Sequence, residues 1–139
     1  MPDIRPVTPE FATAPQLAPE DMAEAAARGY RLVINNRPDG EAPGQPSGAE
    51  MEAAARAAGL DYVAVPFAGL PPGPQQVEAV RRAVASADGP VLAFCRSGTR
   101  SINAWAMGQA QDGRDPAELV RLGAAVGYDL SGALGTASR

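Results

Sequence analysis

The chain has 139 residues, 45% of them hydrophobic and 20% charged, which is typical of one globular domain with a genuine core. A net charge of −4 without a basic cluster argues against nucleic acid or an anionic membrane surface as a partner. The chain has no histidine, which excludes catalysis by an imidazole base and a conventional zinc site, and its single cysteine excludes an internal disulfide.

Strands and helices alternate along the first half of the sequence. A short edge strand is predicted at 11–14, where flanking prolines weaken the pattern, and Pro19 with two following acids is typical of a helix start. That helix is expected to end at Gly29, and the β-branched run 31–35 predicts a buried strand. After a long polar turn, Ser47 and Glu50 have the spacing of a capping box, which predicts a helix to residue 58.

The alternation continues in the second half of the sequence. Strands are predicted at 62–65 and 91–94, and helices at 74–87, 101–111 and 116–126. We therefore interpret residues 1–139 as a single domain and expect only the termini, 1–8 and 131–139, to be loose. The N-terminus lacks the pattern of a signal peptide and no apolar run could span a bilayer, so the sequence predicts a cytoplasmic protein without membrane partners.

This order of elements predicts an α/β fold with a largely parallel central sheet flanked by helices. The loops after Asn35, Val65 and Phe94 are expected to emerge at the carboxyl edge of the sheet, where open α/β sheets usually bind ligands. Together the three loops would form a pocket with Cys95 at its floor.

The lone Cys95 follows the strand at 91–94 and precedes a small turn, Arg100 and a helix. Backbone N–H groups of the turn and the helix dipole would favour the thiolate form of Cys95, and Arg100 would add a permanent charge. The pattern therefore predicts a thiolate nucleophile in an anion cradle. The alternative is a buried cysteine that merely ends a core strand.

Two segments resemble a bacterial family. They are 33–41, which reads VINNRPDGE, and 94–101, which reads FCRSGTRS. The family is the phosphatase-like domain of beta-lactamase-hydrolase-like proteins, whose members are also described as candidate sulfur transferases. The resemblance implies a dual-specificity-phosphatase architecture, with the active-site turn between the last core strand and a helix. Some members are fused to a metallo-hydrolase domain, which implies a partner in sulfide or persulfide oxidation.

The resemblance also implies roles for individual residues. Cys95 would be the nucleophile, and Arg100 would bind the anionic substrate. The cradle N–H groups would come from Arg96, Ser97, Gly98 and Thr99. Ser101 would hydrogen-bond the thiolate or assist breakdown of a covalent intermediate. The second motif contributes residues that would brace the cradle or touch the substrate, namely Asn36, Arg37 and Asp39.

The sequence departs from a phosphatase pattern at three points. Only four residues separate Cys95 from Arg100, one fewer than in cysteine phosphatases, and Phe94 replaces the histidine usual before the cysteine. The loop 66–74 contains no acid that could protonate a leaving oxygen. Asp39 or Glu41 could serve instead only if their loop folds over the pocket.

Sulfur transfer needs fewer groups than phosphate ester hydrolysis. A Cys95 persulfide stabilised by amides and Arg100 requires no general acid, metal or cofactor, only a small anionic or persulfide substrate and a thiol acceptor. The sequence therefore favours a sulfurtransferase. The alternatives are a phosphatase-like hydrolase with a phosphocysteine intermediate, and an inactive relative that binds anions or senses oxidants at Cys95.

Overall fold

The protein is described by a computed structural model that covers residues 1–135 and contains a five-stranded sheet with helices on both faces. The strands are β1 (Arg5–Thr8), β2 (Phe11–Ala14), β3 (Leu32–Asn35), β4 (Asp61–Ala64) and β5 (Val91–Phe94). The helices are α1 (Asp21–Ala27), α2 (Gly48–Ala57), α3 (Pro74–Ser86), α4 (Thr99–Gln111), α5 (Pro116–Ala125) and α6 (Ser131–Leu134).

The strand order is β1-β2-β5-β3-β4, and every pair is parallel except β1 with β2. The predicted α/β class and largely parallel sheet are therefore confirmed. Central strands are buried on both faces, as their continuous apolar runs require. An apolar core lies on each face of the sheet, and successive residues of β5 point to opposite faces. Leu92 packs with α1 and α2, whereas Ala93 packs with α3, α4 and α5.

Local signals position several helices as the sequence predicts. The Ser47 side chain accepts the backbone N–H of Glu50, and the Glu50 side chain accepts that of Ser47, so the capping box at the start of α2 is confirmed. Asp115 caps α5 by accepting the N–H of Ala117. The predicted end of the first helix at Gly29 is also confirmed, because α1 ends there in a left-handed residue.

Two expectations about the N-terminal segment are wrong. Residues 11–14 are not an edge strand, since β2 lies between β1 and β5 and all four of its residues are buried. Residues 1–8 are not loose, because they include β1, and Arg5 donates to Asp3 and to the carbonyl of Val126. Pro6 conceals this strand in the sequence, yet an edge strand tolerates proline.

The C-terminal expectation is only partly open to comparison. Residues 131–134, predicted to be loose, form the short helix α6. Positions 136–139 of the predicted tail lie outside the described residues. Within residues 1–135, no helix combines the length and the apolar character needed to cross a bilayer.

The sheet brings the ends of three strands together around Cys95. The Cys95 N–H donates to the carbonyl of Ala14 at the end of β2, and the Asn36 N–H donates to the carbonyl of Phe94. The Val65 N–H donates to the carbonyl of Asn35. The loops after β3, β4 and β5 therefore lie together at the carboxyl edge of the sheet, as the sequence predicts.

Candidate active site

The turn between β5 and α4 is held with its carbonyls directed away from its centre. The carbonyl of Arg96 accepts the N–H of Gln16 at 3.2 Å. The carbonyl of Ser97 accepts the Tyr128 hydroxyl at 2.7 Å, and that of Gly98 accepts the Thr13 hydroxyl at 2.8 Å. The carbonyls of three successive residues are thus fixed by groups outside the turn, and the N–H of Gly98 faces its interior.

The sulfur of Cys95 lies at the base of this turn. The Gly98 N–H donates to Sγ at 3.1 Å, and the first turn of the 13-residue helix α4 follows directly. Cys95 is fully buried at the carboxyl end of β5. Its sulfur nevertheless has a polar partner in the N–H of Gly98, and the dipole of α4 adds positive potential there.

Gly98 gives the turn its shape. Its φ of +91° lies in the left-handed region, which side chains other than glycine adopt only at a cost. A Cβ at this position would collide with the Tyr128 hydroxyl and come within 3.1 Å of the Thr13 Oγ1. The same two residues thus hold the neighbouring carbonyls and pack against the glycine.

Arg100 is fixed by protein partners on one side of its guanidinium. It donates to both carboxylate oxygens of Glu41 at 2.8 Å and to the carbonyl of Phe67 at 2.9 Å. The hydrogen bonds to Glu41 raise the pKa of Arg100 above its ordinary value, with a smaller contribution from its interaction with Cys95. The Arg100 guanidinium is therefore held in a fixed orientation by the Glu41 carboxylate and the Phe67 carbonyl.

Glu41 is a functional residue that the sequence interpretation did not assign to the cradle. Its carboxylate also accepts from Nε of Arg37 at 2.9 Å, so it bridges two nearly buried arginines. The hydrogen bonds from Arg100, followed by those from Arg37, lower the pKa of Glu41 from 4.5 to about 2. The loop after β3 does fold over the pocket, but it brings an ionised carboxylate and not a general acid.

The variant Glu41→Gln is expected to weaken catalysis and to change the acid stability of the protein. Losing a bidentate charged contact, worth about 1.5–3 kcal/mol, frees Arg100 and should lower kcat/KM about tenfold or more. Because the folded-state pKa of Glu41 is depressed, its stabilisation is present above pH 4.5 and is lost as the pH falls towards 2. Thermal unfolding between pH 5 and 2 should therefore be less pH-dependent in the variant, and identical profiles would contradict the bridge.

Asn36 and Ser101 interact with each other and not with the sulfur. The Ser101 hydroxyl donates to Oδ1 of Asn36 at 2.8 Å, and Nδ2 of Asn36 donates to the carbonyl of Val65 at 2.9 Å. Both side chains are fully buried. The Ser101 hydroxyl thus joins α4 to the loop after β3 and does not donate to the sulfur here, and its assistance in the breakdown of a covalent intermediate stays a prediction. Asn36 braces this loop and does not line the pocket.

The variant Ser101→Ala is expected to affect stability more than chemistry. It leaves the buried Asn36 carbonyl without its donor, which costs about 1–3 kcal/mol of unfolding free energy. Ser86→Ala, which removes an exposed hydroxyl on α3, is the control and should change stability by less than about 0.5 kcal/mol. Steady-state rates should fall less than threefold, whereas a fall of tenfold or more at unchanged stability would restore a catalytic role for Ser101.

The side chains of Asp39 and Arg37 also form hydrogen bonds with other parts of the protein. The Asp39 carboxylate accepts the N–H of Gly48 at 2.8 Å, so it anchors the start of α2, and its role towards cradle or substrate stays a prediction. Arg37 is nearly buried and donates to Gln16 as well as to Glu41. It supports the predicted bracing role, because it connects the loop after β3 to the segment that holds the Arg96 carbonyl.

A pocket of about 490 Å³ lies over the turn. The cradle residues in its lining are Arg96, Ser97, Thr99 and Arg100, and the remainder are Glu41, Ala68 and Leu70. Arg96 and Ser97 are exposed there, and their N–H groups have no acceptor among the described residues. The arrangement can therefore bind an anion or a charged sulfur beside the turn with backbone amides and one guanidinium.

Thr13 and Tyr128 are missing from the sequence interpretation for a clear reason. Each is far from Cys95 along the chain, and neither belongs to a motif that signals a contact with the cradle. For Tyr128 the relevant contacts appear only in the structure, where the residue is buried and the Arg5 guanidinium lies 5.2 Å from the centre of its ring. Contacts of this kind are set by the tertiary fold.

Relatives of known family align with most of this sequence. A family model described as the phosphatase-like domain of beta-lactamase hydrolase-like protein matches residues 3–112. Beta-lactamase hydrolase-like proteins of Agrobacterium fabrum and Xylella fastidiosa are 38% and 40% identical to 88% and 92% of this chain. The matched regions cover only 28% and 30% of those proteins, so the chain corresponds to less than a third of their length.

Solved structures share the architecture. A candidate phosphatase from Neisseria meningitidis is 30% identical, with a TM-score of 0.83 over 95% of this chain and 94% of that one. Two distant structures show the fold alone. PTPMT1 in complex with PI(5)P is 13% identical with a TM-score of 0.74, covering 96% and 90% of the two chains. TpbA of P. aeruginosa in complex with pTyr is 19% identical with a TM-score of 0.63, covering 99% and 91%.

These matches agree with the observed α/β fold, a central sheet flanked by helices. The predicted cysteine-phosphatase-like architecture is confirmed, and so is the resemblance that the motifs at 33–41 and 94–101 carry. The chain belongs to the family of phosphatase-like domains found in beta-lactamase hydrolase-like proteins.

Proposed function

We propose that the domain transfers sulfane sulfur through a persulfide formed on Cys95. The observation that carries the proposal is the state of Glu41, the acidic residue in the lining of the cradle pocket. Two arginines hold Glu41 ionised, with a pKa of about 2, so it cannot donate a proton near neutral pH. A nucleophile without a general acid suits a leaving group that is stable as an anion.

The two steps balance without an oxidant or a metal. The Cys95 thiolate attacks the outer sulfur of a donor R–S–SH, the donor S–S bond breaks, and R–S⁻ departs with the electron pair. Cys95 is left as Cys95–S–SH. The thiolate of an acceptor then attacks the outer sulfur, takes it as a persulfide and returns Cys95 as a thiolate.

The cradle supports the small head group that this reaction needs. Four residues between Cys95 and Arg100 form a smaller ring of N–H donors than the five of a cysteine phosphatase. A terminal sulfur is a single charged atom, whereas a phosphoryl group presents three oxygens to the ring. The N–H of Gly98 already donates to the sulfur, and Arg100, five residues after Cys95, would help to stabilise the persulfide anion.

Hydrolysis of a phosphate ester through a phosphocysteine is the second candidate. The fold favours it, because neighbours of the same architecture include a candidate phosphatase and TpbA in complex with pTyr. Here, however, the loop 66–74 offers no acid to the leaving oxygen, which costs a phosphatase about 10²–10⁴-fold in rate. For the first candidate, sulfur transfer, we further propose a thiol as the acceptor and a partner enzyme in sulfide or persulfide oxidation. Both would act in a reducing cytoplasm.

One experiment separates the two candidates. The protein is incubated with thiosulfate or an organic persulfide, and its intact mass is measured for one added sulfur atom on Cys95. In parallel, hydrolysis of p-nitrophenyl phosphate is followed. We expect stoichiometric sulfur addition that a thiol acceptor reverses, with ester hydrolysis at least a hundredfold slower than sulfur transfer. Ester turnover without sulfur addition would overturn the proposal and favour the phosphatase.

A further inference from the structure

A second pocket adjoins the pocket above the cradle. Its volume is about 410 Å³, and Leu70 and Thr99 line both pockets. Thr99 is itself a cradle residue, so the second pocket lies directly beside the cradle. A substrate whose reacting sulfur sits in the cradle can therefore place the group attached to that sulfur on the far side of Thr99.

The lining of the second pocket differs in chemistry from the cradle. Leu70, Pro71, Met107 and Ala133 give it an apolar wall, and it contains no arginine. Its one charged residue is Asp129, whose carboxylate accepts from the backbone and hydroxyl of Ser131. This lining suits an uncharged aliphatic group and repels a second anion.

Leu70 is the most informative residue of this wall. It is 54% exposed, one of two large hydrophobic side chains of residues 1–135 that are this open to solvent. The other, Met1, is the first residue of the chain, whereas Leu70 stands at the junction of the two pockets. A solvent-exposed apolar side chain beside a charged cradle indicates a substrate that has both an ionic group and an apolar group.

We infer that the preferred sulfur donor is an organic persulfide whose carbon group is uncharged and largely aliphatic, and that Leu70 and Met107 contact that group. The inference rests on the proposed sulfur transfer. The terminal sulfur of the donor would reach Cys95 through the cradle, and the carbon group of the departing thiolate would occupy the second pocket. Inorganic thiosulfate would fill the cradle alone.

The test compares three donors by the initial rate of sulfur addition to Cys95, measured by intact mass. The donors are thiosulfate, n-butyl persulfide and 3-carboxypropyl persulfide, the two persulfides being released in solution from protected precursors. The persulfides have chains of similar length but differ in charge. We expect wild-type protein to react about tenfold faster with the butyl donor than with the carboxypropyl donor.

The variants Leu70→Ser and Met107→Ser should lower the butyl rate about three- to tenfold more than the thiosulfate rate. Leu70 is exposed, so its replacement does not threaten folding. Gln75→Ser, on an exposed position of α3 outside both pockets, is the control and should leave all three rates unchanged.

The possible results separate this inference from the proposed function. Sulfur addition from every donor, with donor ratios that neither variant changes, would overturn the second pocket as a binding site and leave sulfur transfer standing. Absence of sulfur addition from all three donors would overturn sulfur transfer itself, and this inference with it.

Discussion

Replacing Cys95 with serine is expected to reduce sulfur transfer at least a thousandfold, to the background rate of the uncatalysed reaction. The serine oxygen is a poor nucleophile without an adjacent base, and the chain has no histidine to act as one. An oxygen also cannot carry the outer sulfur as a persulfide. The intact mass after incubation with a persulfide donor should therefore stay unchanged.

The fold of Cys95→Ser should survive the substitution. The serine hydroxyl is smaller than the thiol and can still accept the Gly98 N–H that donates to Sγ in the native protein. We expect the unfolding free energy to change by less than about 1.5 kcal/mol, which thermal denaturation can measure. Because Cys95 is the only cysteine, no other thiol can account for residual transfer. Substantial sulfur addition to the variant would therefore contradict Cys95 as the sulfur carrier.

The local features of this site are visible in the sequence because they depend on near neighbours. The strand before Cys95, the left-handed glycine in the turn and the arginine before the helix all follow from short-range preferences. The capping box of Ser47 and Glu50 is of the same kind. The resemblance to a known family then adds the architecture, which the α/β alternation alone leaves open among several parallel-sheet folds.

The supports of the cradle could not be predicted because they are long-range contacts. Thr13 and Tyr128 meet the turn from opposite ends of the chain, and Glu41 reaches Arg100 across 59 residues. The sequence predicts Asp39 in the site because it stands in the same motif as Arg37, yet its carboxylate accepts from the start of α2. Membership of a motif shows that residues are near one another, and does not show which of them touches a ligand.

Gly98→Ala is expected to damage both stability and catalysis. An alanine at φ +91° costs about 1–2 kcal/mol in backbone strain, and its Cβ would collide with the Tyr128 hydroxyl. Relief requires Tyr128 or Thr13 to move, which releases the carbonyls of Ser97 and Gly98 that these residues hold. We expect a loss of about 3 kcal/mol or more in unfolding free energy, and at least a hundredfold loss in the rate of sulfur addition.

Gly59→Ala provides the matched control for backbone strain. Gly59 has a φ of +85°, but a Cβ there would meet no atom within 4 Å, and the residue lies at the end of α2. This variant should therefore lose only about 1–2 kcal/mol and keep its full activity. The double variant Gly98→Ala/Tyr128→Phe removes the colliding hydroxyl and should regain part of the stability, but not the activity, since the Ser97 carbonyl remains unheld. Gly98→Ala could instead lose only as much unfolding free energy as Gly59→Ala and keep the same rate of sulfur addition. That result would contradict the role of Thr13 and Tyr128 in holding the turn around Cys95.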